Sequence, residues 1–219
     1  MEKYRDKYRI PSARASWWDY SANACYFITI CTANRECLFG QIKTQEHMET
    51  NGHLKTHRPV ETHSRASLQG DEVFVELSSI GNIVDDEWNK SFIIREELFC
   101  DAFVIMPNHV HAVLRIDNDI PSIETHGCAS MTGRAFQNND ASLPEPKRSI
   151  KSISSFVGGF KSSATRQINI YRNMPGVPVW QTRFYDRIIR NAHEYRRIIN
   201  YIIENPLKWQ EDDLYEPNL

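Results

Sequence analysis

At 219 residues, 41% of them apolar, the chain is long enough to bury one substantial core, and a second full domain is not expected. No apolar run approaches the roughly 18 residues of a membrane span, and the charged stretch Lys3, Arg5, Asp6, Lys7, Arg9 is not followed by an apolar signal core. The expectation is therefore a cytoplasmic protein of one domain, residues 1–219, with its five cysteines reduced.

The formal net charge of −2 conceals an asymmetry. Between Lys147 and Arg197 there are eleven basic residues against Asp186 and Glu194, about +9, while the remainder is about −11. A basic block on an acidic chain points to a localised polyanion-binding surface. A solvated helix face explains the same run equally well.

In chain order, Tyr26 to Thr32 is rich in β-branched and aromatic residues and reads as a strand. Residues 41–70 are polar and without periodicity, which predicts an insertion or long loop. Val73 to Leu77 reads as a short strand, and Ser78 or Ser79 can cap a helix through Ile80, Val84 and Trp88. Leu98–Met106 and His109–Ile116 read as a hairpin turning at Pro107-Asn108. A second polar insertion, about residues 117–146, contains Glu124-Thr125-His126 with Ala129-Ser130, echoing Glu61-Thr62-His63 with Ala66-Ser67 in the first.

Ser149 to Arg172 carries Ile150, Ile153, Phe156, Val157, Phe160, Ala164 and Ile168 at helical spacing. Val177 to Tyr185 reads as a final strand. The last helix opens at Asn191, with Glu194 three residues on, and stops at Pro206. The order β, α, β-hairpin, α, β, α predicts an α+β fold, a ferredoxin-like antiparallel sheet covered by helices, with the two polar insertions.

His109 and His111 stand one residue apart in an apolar strand, so they share a face. Two neutral imidazoles there form half of a divalent-metal site. Two unliganded histidines are the alternative. Tyr201 and Asn205 stand four apart on one helix face. Either can equally be structural, and Tyr185 and Tyr195 are rival phenols.

Five blocks occur in order: Tyr-Phe-Ile-Thr-Ile-Cys-Thr from 26, Met-Pro-Asn-His-Val-His from 106, Ser-Phe-Val-Gly-Gly-Phe-Lys-Ser from 155, Val-Trp-Gln-Thr-Arg-Phe-Tyr-Asp-Arg-Ile-Ile-Arg from 179 and Tyr-Ile-Ile-Glu-Asn-Pro-Leu-Lys-Trp from 201. Together they resemble the single-tyrosine HUH transposases, and within them the REP-associated tyrosine transposase branch, over about residues 20–210. The resemblance implies that Tyr201 is the catalytic nucleophile and that His109, His111 and Asn205 are metal ligands. It implies Mg²⁺ or Mn²⁺ as cofactor, single-stranded DNA bearing hairpins as partner, a 5′-phosphotyrosine intermediate, and a monomer or a homodimer. Lys161, Arg166, Arg183, Arg187 and Arg190 are the expected phosphate contacts. Trp180, Phe184 and Tyr185 are candidates to stack on unpaired bases. A hairpin-binding protein without catalysis and a metal-dependent nuclease using water are the alternatives.

Overall fold

A computed structural model describes residues 3–4, 7–8, 17–45, 65–68, 71–119 and 151–215. Strands β1 (Lys3–Tyr4) and β2 (Lys7–Tyr8) pair with each other. The frame follows as β3 (Ala24–Cys31), β4 (Gly40–Gln45), β5 (Arg65–Leu68), β6 (Asp71–Leu77), α1 (Ser79–Ile93), β7 (Leu98–Met106), β8 (His109–Ile116), α2 (Ile153–Tyr171), β9 (Tyr185–Ile189) and α3 (Ala192–Glu204). The central sheet has the order β7-β8-β3-β9 with every pair antiparallel. Counting only its own strands in chain order, that is 2-3-1-4, the ferredoxin-like arrangement, and the α+β expectation is met.

Strand alternation divides the sheet into two cores. Tyr26, Ile28 and Ile30 of β3 and Val110, Ala112, Leu114 and Ile116 of β8 pack with Trp88 of α1 and Phe156 and Phe160 of α2. On the opposite face Val104, Met106 and Val113 meet Ile198 and Ile202 of α3 and the following Trp209. A register shift between Cys100 and Ala102 re-phases β7, so that Phe103 and Ile105 face the α1/α2 side and Val104 and Met106 the α3 side.

The caps form as the sequence predicts. Ser78 Oγ accepts from Gly81 N at 3.0 Å, and Asn191 Oδ1 accepts from Glu194 N at 2.8 Å. A side chain at Gly81 would overlap the Phe39 carbonyl, so glycine is what allows the start of α1 to approach that segment.

Two expectations need correction. The stretch expected as a loop over residues 41–70 contributes strands at both ends, because β4 and β5 each pair with β6 in a second, three-stranded sheet. Val177–Tyr185 is not the final strand. It meets the end of β3 through a single bridge, Thr32 to Trp180, and the strand proper begins at Tyr185. Its apolar content serves as a plug, since Val179 and Trp180 are buried in the core without a ladder. The second insertion beyond Asp119 and both Glu-Thr-His segments lie outside the described residues.

Candidate metal and nucleophile site

β8 enters the sheet from the Pro107-Asn108 turn with His109 opposite Cys31 and His111 opposite Thr29. Both imidazoles are buried on the α3 face, their rings 4.3 Å apart between centroids. The Thr29 hydroxyl lies 2.9 Å from His111 Nδ1. Asn108 Oδ1 lies 2.8 Å from His109 Nδ1. Its amide nitrogen donates to the carbonyls of Arg35 (3.1 Å) and Leu214 (2.8 Å).

Ile198 and Ile202 seat α3 against the sheet and bring Tyr201 over this pair. The Tyr201 hydroxyl is 3.1 Å from His111 Nε2 and donates to Asp212 Oδ2 at 3.1 Å. Asn205, fully buried at the C-cap of α3, donates to the same carboxylate oxygen at 2.7 Å. His109, His111, Tyr201 and Asn205 therefore come together on the α3 face of the sheet. Of the rivals, Tyr195 donates to Asp101, and Tyr185 is exposed beside the site, its ring packed edge-on against Phe27.

Asp212 is the member that sequence reasoning missed. A ligand atom of His109, of His111 and of Asp212 all lie within 4.8 Å of one another. The signal was faint: the acidic run Glu211-Asp212-Asp213 follows the Asn-Pro step, but only the chain reversal through a short 3₁₀ turn, Trp209–Glu211, returns it to the sheet.

The donor set fits a divalent cation. His109 Nε2 and Asn205 Oδ1 are buried without a well-formed hydrogen bond, although the Asn205 amide acts on the His109 ring. A buried imidazole nitrogen and amide oxygen so placed are costly unless a cation uses them. Burial, and after it the neighbouring His111 and Arg35, hold His109 well below its ordinary 6.5, and burial brings His111 down to about 4. Both imidazoles are thus neutral, the ligating form, at physiological pH. Burial and the adjacent Asp212 charge hold the Tyr201 phenol above its ordinary 10.

The phenol stands where two clefts of about 630 and 640 Å³ meet. Phe27, Tyr185, Tyr201, Glu211 and Asp212 line both, so they form one groove across the site. Arg187, Arg197 and Lys208 line one arm and Arg183 the other. Arg190 is exposed just beyond β9. Arg187 is held by Glu194 at 2.5 Å.

Three of the expected DNA contacts lie elsewhere. Arg166 is exposed on α2, in the helix layer on the opposite face of the sheet. The Lys161 ammonium donates to the Gln181 and Thr182 carbonyls and so pins the 177–185 segment. Trp180 is only 7% exposed and packs on Phe39 and Phe160, so its expected role as a stacking platform gives way to a core role.

The chain is 31% identical, over 204 residues, to an uncharacterised protein of Haemophilus influenzae strain KW20/Rd, covering 93% of this chain and 92% of that one. It belongs to the same family as that protein. No family model matches the sequence. Among solved structures it is similar to a REP-associated tyrosine transposase bound to a REP hairpin, at 18% identity and a TM-score of 0.46, over 95% of this chain and 74% of that one. It is also similar to a protein of Deinococcus radiodurans R1 provisionally assigned as a transposase, at 13% identity and a TM-score of 0.38, over 90% and 98%.

Proposed function

We propose that this protein is a DNA strand transferase of the tyrosine transposase type, which nicks and rejoins hairpin-bearing single-stranded DNA. The observation that carries the reading is the Tyr201 hydroxyl 3.1 Å from His111 Nε2, half-exposed at the floor of a groove with basic side chains in both arms. The five ordered sequence blocks supply the substrate class.

His109, His111, Asn205 and Asp212 would hold the divalent metal. Their imidazole content favours Mn²⁺ over Mg²⁺ relative to an all-oxygen set. When bound, the metal would polarise the scissile phosphate and offset the charge developing on it. Tyr201 is the nucleophile. Its oxygen attacks phosphorus, and the bond from phosphorus to the 3′ oxygen breaks. The DNA 5′ end is left on the tyrosine, and the 3′ oxygen departs as a hydroxyl. Asp212 Oδ2 already accepts the phenolic hydrogen and is the group placed to take the proton. The phosphotyrosine bond conserves the energy of the broken one, so rejoining runs the same step in reverse. Arg183, Arg187 and Arg190 would track the phosphates beside it.

Incubation of the protein and Mn²⁺ with end-labelled single-stranded hairpin DNA tests this. A denaturant-stable protein–DNA adduct is expected, abolished in Tyr201→Phe while DNA retention persists. Cleavage without adduct would make the protein a hydrolytic nuclease, and retention without cleavage a binding protein.

A further inference from the structure

Asn108 is 1% exposed, and every polar atom of its side chain is engaged. The two carbonyls that accept from its amide nitrogen fix which end of the amide is which. They leave Oδ1, a pure acceptor, facing His109 Nδ1 at 2.8 Å. An acceptor in that place requires the hydrogen of a neutral His109 to sit on Nδ1. The lone pair is then on Nε2, the buried nitrogen without a well-formed hydrogen bond.

The other end of the amide acts on the opposite wall of the site. The Leu214 carbonyl it holds belongs to a tight turn in which Leu214 N donates to Asp212 Oδ1 at 2.7 Å. Arg35 Nη1 secures the same turn through the Asp213 carbonyl at 3.2 Å. Arg35 itself sits at φ +57°, beside Asn34 at +56°, left-handed backbone that asparagine tolerates and arginine rarely adopts. The Arg35 carbonyl is held by Asn108 across this strained corner.

We propose that Asn108 is a positioning residue of the metal centre. One end of its amide sets the tautomer of His109, and the other fixes the turn that delivers Asp212. Outer partners of this kind typically change metal affinity about 10–100-fold when removed. The inference rests on the metal-site reading above and is independent of the DNA chemistry.

The test is long-range ¹H–¹⁵N correlation spectroscopy of metal-free, histidine-labelled protein, paired with Mn²⁺ titration followed by electron paramagnetic resonance. In the wild type, His109 is expected with its proton on Nδ1 and a pyridine-type Nε2. Asn108→Ala should mix or invert the tautomer and weaken Mn²⁺ by about 10–100-fold. Asn108→Asp, which keeps the acceptor and removes the donor, should retain the tautomer while amide exchange quickens at residues 213–215. A wild-type proton on Nε2 overturns the proposal, as does Asn108→Ala with unchanged tautomer and affinity. If Asn108→Ala does not fold, the wild-type spectrum and Asn108→Asp still decide it. A wild type that binds no Mn²⁺ sinks the metal reading, whereas absence of a DNA adduct leaves this result standing.

Discussion

At the scale of single residues, the two imidazoles and the phenol of the site are held in their neutral forms beside the Asp212 carboxylate. His111 is lowered from 6.5 to about 4, chiefly by burial, with Asp212 and a backbone contact at Ile28 opposing. The unfolded chain takes up this proton near 6.5, and the folded chain does so only near 4. Stability is therefore unaffected above about pH 6.5 and falls as pH drops through the window down to about 4. Denaturant midpoints measured from pH 7 to pH 4 should decline, and His111→Gln should flatten that decline. An unchanged slope in the variant would show that His111 already titrates normally in the folded chain. That His109 shares a face with His111, and Tyr201 with Asn205, was legible from period-two and near-period-four spacing, whereas a role for any of them came only from the resemblance of the five sequence blocks. Asp212 and Asn108 were not legible, since their roles depend on a chain reversal and an amide orientation that no local spacing encodes.

At the scale of elements, α3 is both a packing helix and the element that carries Tyr201, the proposed nucleophile, over the imidazole pair. Asn191 caps its first turn. Glu194 in that turn accepts from Arg190 N at 3.1 Å and grips Arg187, so one helix start organises a stretch of the groove. Asn191→Ala should cost about 1 kcal/mol, a drop of roughly 2–4 °C in melting temperature for a chain of this size. Calorimetry checks it, and no shift would mean that packing alone holds the helix start. The long elements were readable because each carries its own apolar period. The β4–β6–β5 sheet was not, because a polar segment can be recruited to a ladder by main-chain hydrogen bonds without any side-chain signature. Val177–Tyr185 misled for the opposite reason: Val179 and Trp180 are apolar to fill a gap in the core, and an apolar run does not declare whether its backbone is laddered.

At the scale of the whole molecule, the sheet sorts its residues between an apolar layer under α1 and α2 and the face that carries the candidate site. Along β8, His109, His111 and Val113 turn one way, and Val110, Ala112 and Leu114 the other. A one-residue slip would bury both imidazoles against α1 and α2 and leave the groove without ligands. Register, not composition, makes the site. The basic C-terminal third was legible as a charge block, which the sequence left open between a binding surface and a solvated helix face, and its division was not legible. Arg183, Arg187 and Arg190 lie at the groove or just beyond β9, while Arg166 belongs to the far layer and Lys161 to the 177–185 segment.

The contact between the Tyr201 hydroxyl and His111 joins α3 to β8 of the same chain. Under the proposed function, and in genetic terms, lesions at Tyr201 and at His109 then fall in a single complementation group. Tyr201→Phe mixed with His109→Ala should form no more adduct than either alone, however long the two are co-incubated or co-expressed. Recovery of activity in the mixture would mean that subunits exchange their last helices.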